Sequence, residues 1–198
     1  MSAAPLFPYE VTPDAPRKRF TRLEVEQLLE LGIFDGQRFE LIDGELFDKM
    51  GQKPAHAATI QNLMEILGNI FGARLLRVQL PVEAGGADRD CSMPEPDIAV
   101  LNERKTEYNR RHPRGDELIL AVEVSDSSAG FDLSRKAQLY ANAGVPDYWV
   151  VDLKRRTVVR QWNAREGSYR MAQSFATGEG IPVAGQTVPV DDILPQND

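Results

Sequence analysis

LILAVEVS (118–125) is a run of apolar residues interrupted near its end by one carboxylate, Glu123. Charged residues bound it on both sides, Asp116 and Glu117 before and Asp126 after. An apolar run of this length between such breaks reads as a strand covered on both faces, as in a parallel or mixed sheet. Alternation assigns Ile119, Ala121, Glu123 and Ser125 to one face and Leu118, Leu120, Val122 and Val124 to the other. An unpaired carboxylate at the end of such a strand costs several kcal/mol, so Glu123 needs a cation, hydrogen-bond donors or a raised pKa. A satisfied structural ion pair is the plain alternative to a functional site.

Upstream, PDIAVL (96–101) reads as a second strand, with Asp97 on the face of Ala99 and Leu101, and RLLRVQLPV (74–82) as a third. Before them, Ile60, Leu63, Met64, Leu67, Ile70 and Phe71 recur at helical spacing from Pro54 to Gly72. Downstream, Asp132 is placed to cap a helix through about Asn142 that Gly144 closes, and DYWVVD (147–152) follows as a strand. The resulting core order is helix, three strands, helix, strand.

Two further elements precede this core. Thr21 and Glu24 form a capping-box pattern for a helix over 22–31, and RFELIDGELF folds back at Asp43-Gly44, a dipeptide suited to a type I′ hairpin turn. Residues 1–19, with Pro5, Pro8, Pro13 and Pro16, read as an irregular arm. Residues 20–198 read as one domain. After the basic turn at Lys154-Arg155-Arg156, TVVRQW reads as a strand, and the remainder carries only scattered short strand candidates.

A chain of 198 residues can bury a substantial core without staples. One cysteine, Cys91, and two histidines exclude an intramolecular disulfide and a Cys/His zinc cluster. No apolar run is long enough to cross a bilayer, and no signal-peptide pattern opens the chain, so a cytoplasmic protein is expected. The formal charge of −7 argues against a broad basic coat for nucleic acid but is compatible with a carboxylate-rich metal site.

Helical phase carries the candidate site further. On the helix after Glu123, Lys136 shares the inward stripe of Leu133, Ala137 and Tyr140. It either snorkels past the stripe's edge or pairs with Glu123 or a bound phosphate. His56, four residues before Ile60, also faces the sheet, as a core histidine or as a metal ligand. Hairpin pairing puts Glu40, Ile42, Glu45 and Phe47 on one face, so Glu40 or Glu45 is within reach of the site. The loop ERKTEYNRRHPRGDE offers Arg104, Lys105, Arg110, Arg111 and Arg114 as phosphate contacts, or as a solvated loop neutralised by its own acids.

RFELIDGELF, His56 opening a helix, PEPDIAVL, LILAVEVSDSS and FDLSRKAQLYANAGVPDYWVVD together resemble the Uma-two family of restriction-endonuclease-like proteins, over residues 20 to 162. The resemblance implies a PD-(D/E)XK nuclease fold, an αβββαβ α/β core whose mixed central sheet is flanked by helices. It implies that Asp97 and Glu123 bind Mg²⁺ or Mn²⁺ and that His56 adds a ligand. Ser125 stands where the superfamily has its lysine, so the resemblance implies that Lys136 supplies the amine from the next helix. The activity implied is hydrolysis of DNA phosphodiester bonds. A module that kept the fold and lost turnover is the rival reading. A homodimer would suit double-strand cleavage, although no stretch specifies an interface.

Overall fold

The computed structural model describes residues 17–49 and 53–196. Most of the expected arm, residues 1–16, lies outside them, and residues 17–19 form neither helix nor strand. The fold is mixed α/β. Six strands make the central sheet in the order β3 (Leu76–Val78), β4 (Ile98–Leu101), β5 (Leu118–Ser125), β6 (Asp147–Asp152), β7 (Thr157–Arg165) and β8 (Ser168–Ala176). Only β5 and β6 pair in parallel. A parallel neighbour requires a crossover, which is the helical stretch of α3 (Ala129–Phe131), a π-helical turn (Asp132–Lys136) and α4 (Ala137–Asn142).

One face of the sheet, with Leu120, Val122, Val124, Trp149 and Val151, packs on α2 (Pro54–Leu67) through Ile60, Leu63 and Leu67. The short hairpin β9 (Gly180–Val183) with β10 (Gln186–Pro189), and α5 (Val190–Ile193), complete that layer. The opposite face carries Ala99, Ala121 and Val150 beneath Ala137 and Tyr140 of α4. The helix α1 (Arg22–Glu30) is capped by Thr21 and Glu24, and β1 (Phe39–Ile42) with β2 (Glu45–Asp48) forms a separate hairpin. The expected order of helix, three strands, helix and strand is observed. No described helix is long and apolar enough to cross a membrane.

Four local expectations need correction. The strand expected over 74–82 pairs only over Leu76–Val78, since Gln79 takes a positive φ of 52° and Pro81 has no N–H for a ladder. β4 begins at Ile98, so Asp97 lies just outside the strand. A bulge opposite Val100/Leu101 reverses the alternation at the start of β5, so Leu118 joins the cluster of Ala121 while Ile119 packs on the other face. Asp132 does not cap its helix: helical structure begins at Ala129, and the buried Asp132 carboxylate accepts from Ser125 Oγ at 2.5 Å and Ser128 Oγ at 2.6 Å. After residue 162 the expected fragments resolve into the long β7–β8 hairpin and the β9–β10 pair.

Candidate active site

The sheet register brings the two predicted acids together. Ile98 pairs with Val122 and Ala99 with Ala121, and one further step along the same antiparallel register sets Asp97 opposite Glu123. Asp97 Oδ2 accepts the Val124 backbone N–H at 2.8 Å, and Oδ1 accepts from the Gln79 side-chain amide at 3.1 Å. His56, in the first turn of α2, places Nε2 3.3 Å from Asp97 Oδ2. Its other ring nitrogen, Nδ1, is buried with no hydrogen-bond partner.

Lys136 closes the π-helical turn, and its side chain is only 5 % exposed. Its ammonium lies 2.7 Å from Glu40 Oε1, 3.0 Å from Glu123 Oε1 and 3.9 Å from Asp132 Oδ1. Tyr140, one turn later, donates its hydroxyl to the same Glu123 Oε1 at 2.8 Å. Both donors therefore meet one oxygen of Glu123, and Oε2 has no protein donor among the described residues. Lysine four residues before tyrosine on an inward face delivers both groups to one carboxylate.

Glu40 arrives from the hairpin. Asp43 and Gly44 at the turn both take positive φ, 54° and 77°, which sets the type I′ register of Glu40 with Phe47 and Ile42 with Glu45. A Cβ on Gly44 would meet Arg19 Cβ at 2.7 Å, so the turn requires glycine. Arg135, the neighbour of Lys136, reaches both Asp43 and Asp88 and ties the hairpin to the site helix. Of the two hairpin glutamates, Glu40 is buried against Lys136, whereas Glu45 is exposed and does not line the cleft.

Glu40, His56, Asp97, Glu123, Asp132 and Lys136 line one cleft of about 270 Å³. Carboxylates from Glu40, Asp48, Asp97, Glu123, Asp126 and Asp132 face cations from Arg38, Lys49, Lys53 and Lys136 across it. Acids thus outnumber fixed cations. Burial pushes the Glu123 carboxyl up to about 8, with the neighbouring acids Asp97, Asp132 and Glu40 adding to the shift and Lys136 opposing it. Burial also disfavours the Lys136 ammonium, but Glu123, Glu40 and Asp132 more than offset it and hold the amine above its ordinary range. Asp97, despite its own burial, is held below the usual carboxylate range by His56 and the Val124 N–H.

The donor set fits a hard divalent cation. Among the described residues no group of three or more Asp, Glu, His or Cys side chains is placed to hold a metal ion, but Mg²⁺ is commonly held by one or two carboxylates, with water and substrate phosphate completing its shell. Asp97 and Glu123, adjacent in register, with a spare oxygen on Glu123 and excess negative charge around them, meet that requirement.

The remaining candidates lie elsewhere. Glu117 is nearly inaccessible and takes salt bridges from Lys105 at 3.0 Å, Arg111 at 2.7 Å and Arg114 at 3.8 Å. Arg104 and Arg110 are exposed, and none of the five loop cations lines the cleft. Sequence reasoning passed over Asp132, Tyr140 and the cleft-lip cations Arg38, Lys49 and Lys53 as site residues. Two of these were legible: the register that pairs Ile42 with Glu45 also sets Arg38 beside Lys49, and the Lys49 N–H bonds the Arg38 carbonyl at 2.8 Å.

A mixed sheet with one parallel pair, a helical crossover and paired acids at the mouth of its central strands defines a restriction-endonuclease-like α/β fold. The family profile Uma2, described as "Putative restriction endonuclease", matches residues 25–190, and the chain belongs to that family. Among solved structures it is similar to a protein of Anabaena variabilis titled a "putative nuclease belonging to DUF820", with a TM-score of 0.63 and 14% identity. That likeness covers 85% of this chain and 96% of the other. No functionally curated protein matches the chain.

Proposed function

We propose that this protein is a nuclease that hydrolyses DNA phosphodiester bonds with Mg²⁺ or Mn²⁺. The observation that carries the proposal is the buried Lys136 ammonium, 3.0 Å from a Glu123 carboxylate that also borders Asp97 in an acid-rich cleft. A structural ion pair in the core has no need of surplus carboxylates, and membership of the Uma2 family supports a nuclease.

Asp97 and Glu123 would hold the ion, and His56 would join as a ligand only by turning its Nε2 from Asp97 to the metal. Bound there, a divalent cation would acidify a water and neutralise charge on the scissile phosphate. The protein's own groups divide the remaining work. His56 and the Val124 N–H keep Asp97 ionised and oriented. Lys136, with its pKa raised, stays protonated at neutral pH and acts as a fixed positive charge, not as a base. Tyr140 and Lys136 fix one Glu123 oxygen and leave the other to the cleft. Glu40 and Asp132 hold the ammonium from its other sides. Ser125, in the lysine position of the superfamily pattern, instead donates to Asp132 and so supports Lys136 from below.

Cleavage of plasmid and of single-stranded DNA, with Mg²⁺ or Mn²⁺, by the wild-type protein and by Glu123→Ala tests the proposal. Metal-dependent cleavage that disappears in Glu123→Ala is expected. Equal activity in both proteins, or none in the wild type across both metals, overturns it.

A further inference from the structure

Resting on the nuclease reading, we infer that the cleft takes a single unpaired nucleotide, with its base against Phe47 and Phe131, so that the substrate is single-stranded or locally melted nucleic acid.

Size points this way first. The cleft's volume of about 270 Å³ falls at or below the lower end of small-molecule sites, roughly 300–1,000 Å³. That is room inside the cleft for about one nucleotide. Hydrolysis itself needs only a backbone phosphate near Lys136, but for a base to enter this space the strand must be free or its nucleotide drawn out of the stack.

The lining supplies the second argument. Phe47 from β2 and Phe131 from α3 both line the cleft, with ring centroids 5.1 Å apart. They sit over the buried cluster of Ile42, Ala84 and Leu139, and each remains partly accessible. An aromatic pair bordering a centre otherwise built from acids and cations has little to offer a phosphate. It offers a π surface to a base, which single-strand binding sites use without regard to sequence. Phe131 precedes Asp132 in the chain, and Phe47 pairs directly with Glu40, so the apolar wall and the Lys136 cluster are carried by the same two elements.

The lip cations supply the third. Arg38 and Lys49 flank the open end of the β1–β2 hairpin, and Lys53 precedes α2. Their carboxylate partners are Glu95, at 3.9 Å from Arg38 and 3.8 Å from Lys49, and Asp126, which lines the cleft and pairs with Lys53. A strand whose base lay against the two phenylalanines would carry its neighbouring phosphates past these cations.

The test is fluorescence anisotropy of a labelled 12-nucleotide single strand and of a blunt duplex of the same sequence, with Ca²⁺ present, followed by cleavage of each with Mg²⁺. The single strand is expected to bind about tenfold more tightly than the duplex. Phe131→Leu is expected to lower single-strand affinity by roughly tenfold, and Phe131→Tyr, which keeps a ring, to preserve it. Circular dichroism melts establish that each variant folds, and Phe47→Leu with Phe47→Tyr repeats the comparison on the other ring. Equal or tighter binding of the duplex overturns the inference, as do folded leucine variants that bind like the wild type. Single-strand binding without cleavage upholds the inference and removes the nuclease reading; cleavage with a duplex preference does the reverse.

Discussion

Two groups of nearly inaccessible carboxylates in this molecule are handled in opposite ways. In the loop between β4 and β5, Glu117 is met by Arg111, Lys105 and Arg114 and by the Arg114 backbone N–H, and these hold its carboxyl far below the usual range. Three cations converge on this one carboxylate while also pairing with Glu103, Glu107 and Asp116, and every bond it makes is internal. In the cleft, one ammonium serves Glu123, Glu40 and Asp132, with Asp97 close by, and Glu123 is pushed up to about 8. The difference separates a structural cluster, complete in itself, from one in which a single ammonium is shared among several acids, the shortfall that a cation would fill under the proposed function.

The largest effect expected from disturbing this contrast is at Lys136. Lys136→Met removes the only ammonium among the described residues in direct contact with Glu40 and Glu123, and cleavage should fall by roughly 10²–10³-fold with KM little changed. Stability should fall as well, by about 3 kcal/mol, because the acids are left buried without their partner. Single-turnover kinetics and a denaturant melt read the two separately. Full activity in a folded Lys136→Met protein would remove the lysine from the mechanism.

Next in size is a linkage between protons and metal. Burial pushes the Glu123 carboxyl up to about 8, so a cation that binds there competes with a proton. Mg²⁺ affinity should therefore tighten by about tenfold per pH unit between pH 6 and 8 and level off above. Calorimetry in two buffers of different ionisation enthalpy should detect close to one proton released per ion. Without metal the sign for stability is the reverse. From the ordinary carboxylate range up to about 8 the folded chain retains a proton that the unfolded chain has lost, so stability declines as pH rises through that window. Glu123→Gln should flatten the decline in melts taken with EDTA from pH 5 to 8; an unchanged slope would place its origin elsewhere.

Much of this contrast was legible in the sequence, and what was not has physical causes. LILAVEVS and DYWVVD coincide with β5 and β6 because both are fully covered runs with charged residues or turns at their ends. Helix phase placed Lys136 inward correctly. It gave no sign of the π-helical turn or of the start at Ala129, because Asp132 in isolation resembles a helix cap and its real partners, Ser125 and Ser128, lie on the strand end and the connecting turn. Glu40 and Glu45 share a hairpin face by alternation; which one enters the site depends on how the hairpin docks, here through Arg135 and Asp43. The loop cations read as a patch because a sequence shows their density but not that Glu117, at the foot of β5, gathers three of them.

A smaller effect, confined to stability, is expected at that gathering point. Glu117→Gln keeps the shape and removes the charge that Arg111, Lys105 and Arg114 share. Hydrogen bonds to charged groups contribute about 1.5–3 kcal/mol, and the three cations can turn partly to solvent, so a loss of about 1–2 kcal/mol is expected. Cleavage below the melting temperature should be unchanged. Loss of cleavage by a folded Glu117→Gln protein would mean that the loop and the cleft are coupled and the contrast between them is false.

The smallest effect is expected at Arg104 and Arg110, the two loop cations that are exposed and bear no bond to Glu117. If DNA runs only through the cleft, the double variant Arg104→Ala/Arg110→Ala stays within about twofold of wild-type affinity at physiological salt, where screening reduces the influence of charges beyond about 8 Å. Each phosphate that a variant no longer neutralises lowers the salt dependence of binding by close to one unit for duplex and about 0.7 for a single strand, so the slope of affinity against salt is a finer gauge than affinity alone. An unchanged slope leaves the loop as a self-neutralised structural element. A slope reduced by about one unit or more would show that the nucleic acid extends from the cleft across the loop, and the two clusters would then be successive parts of one binding path.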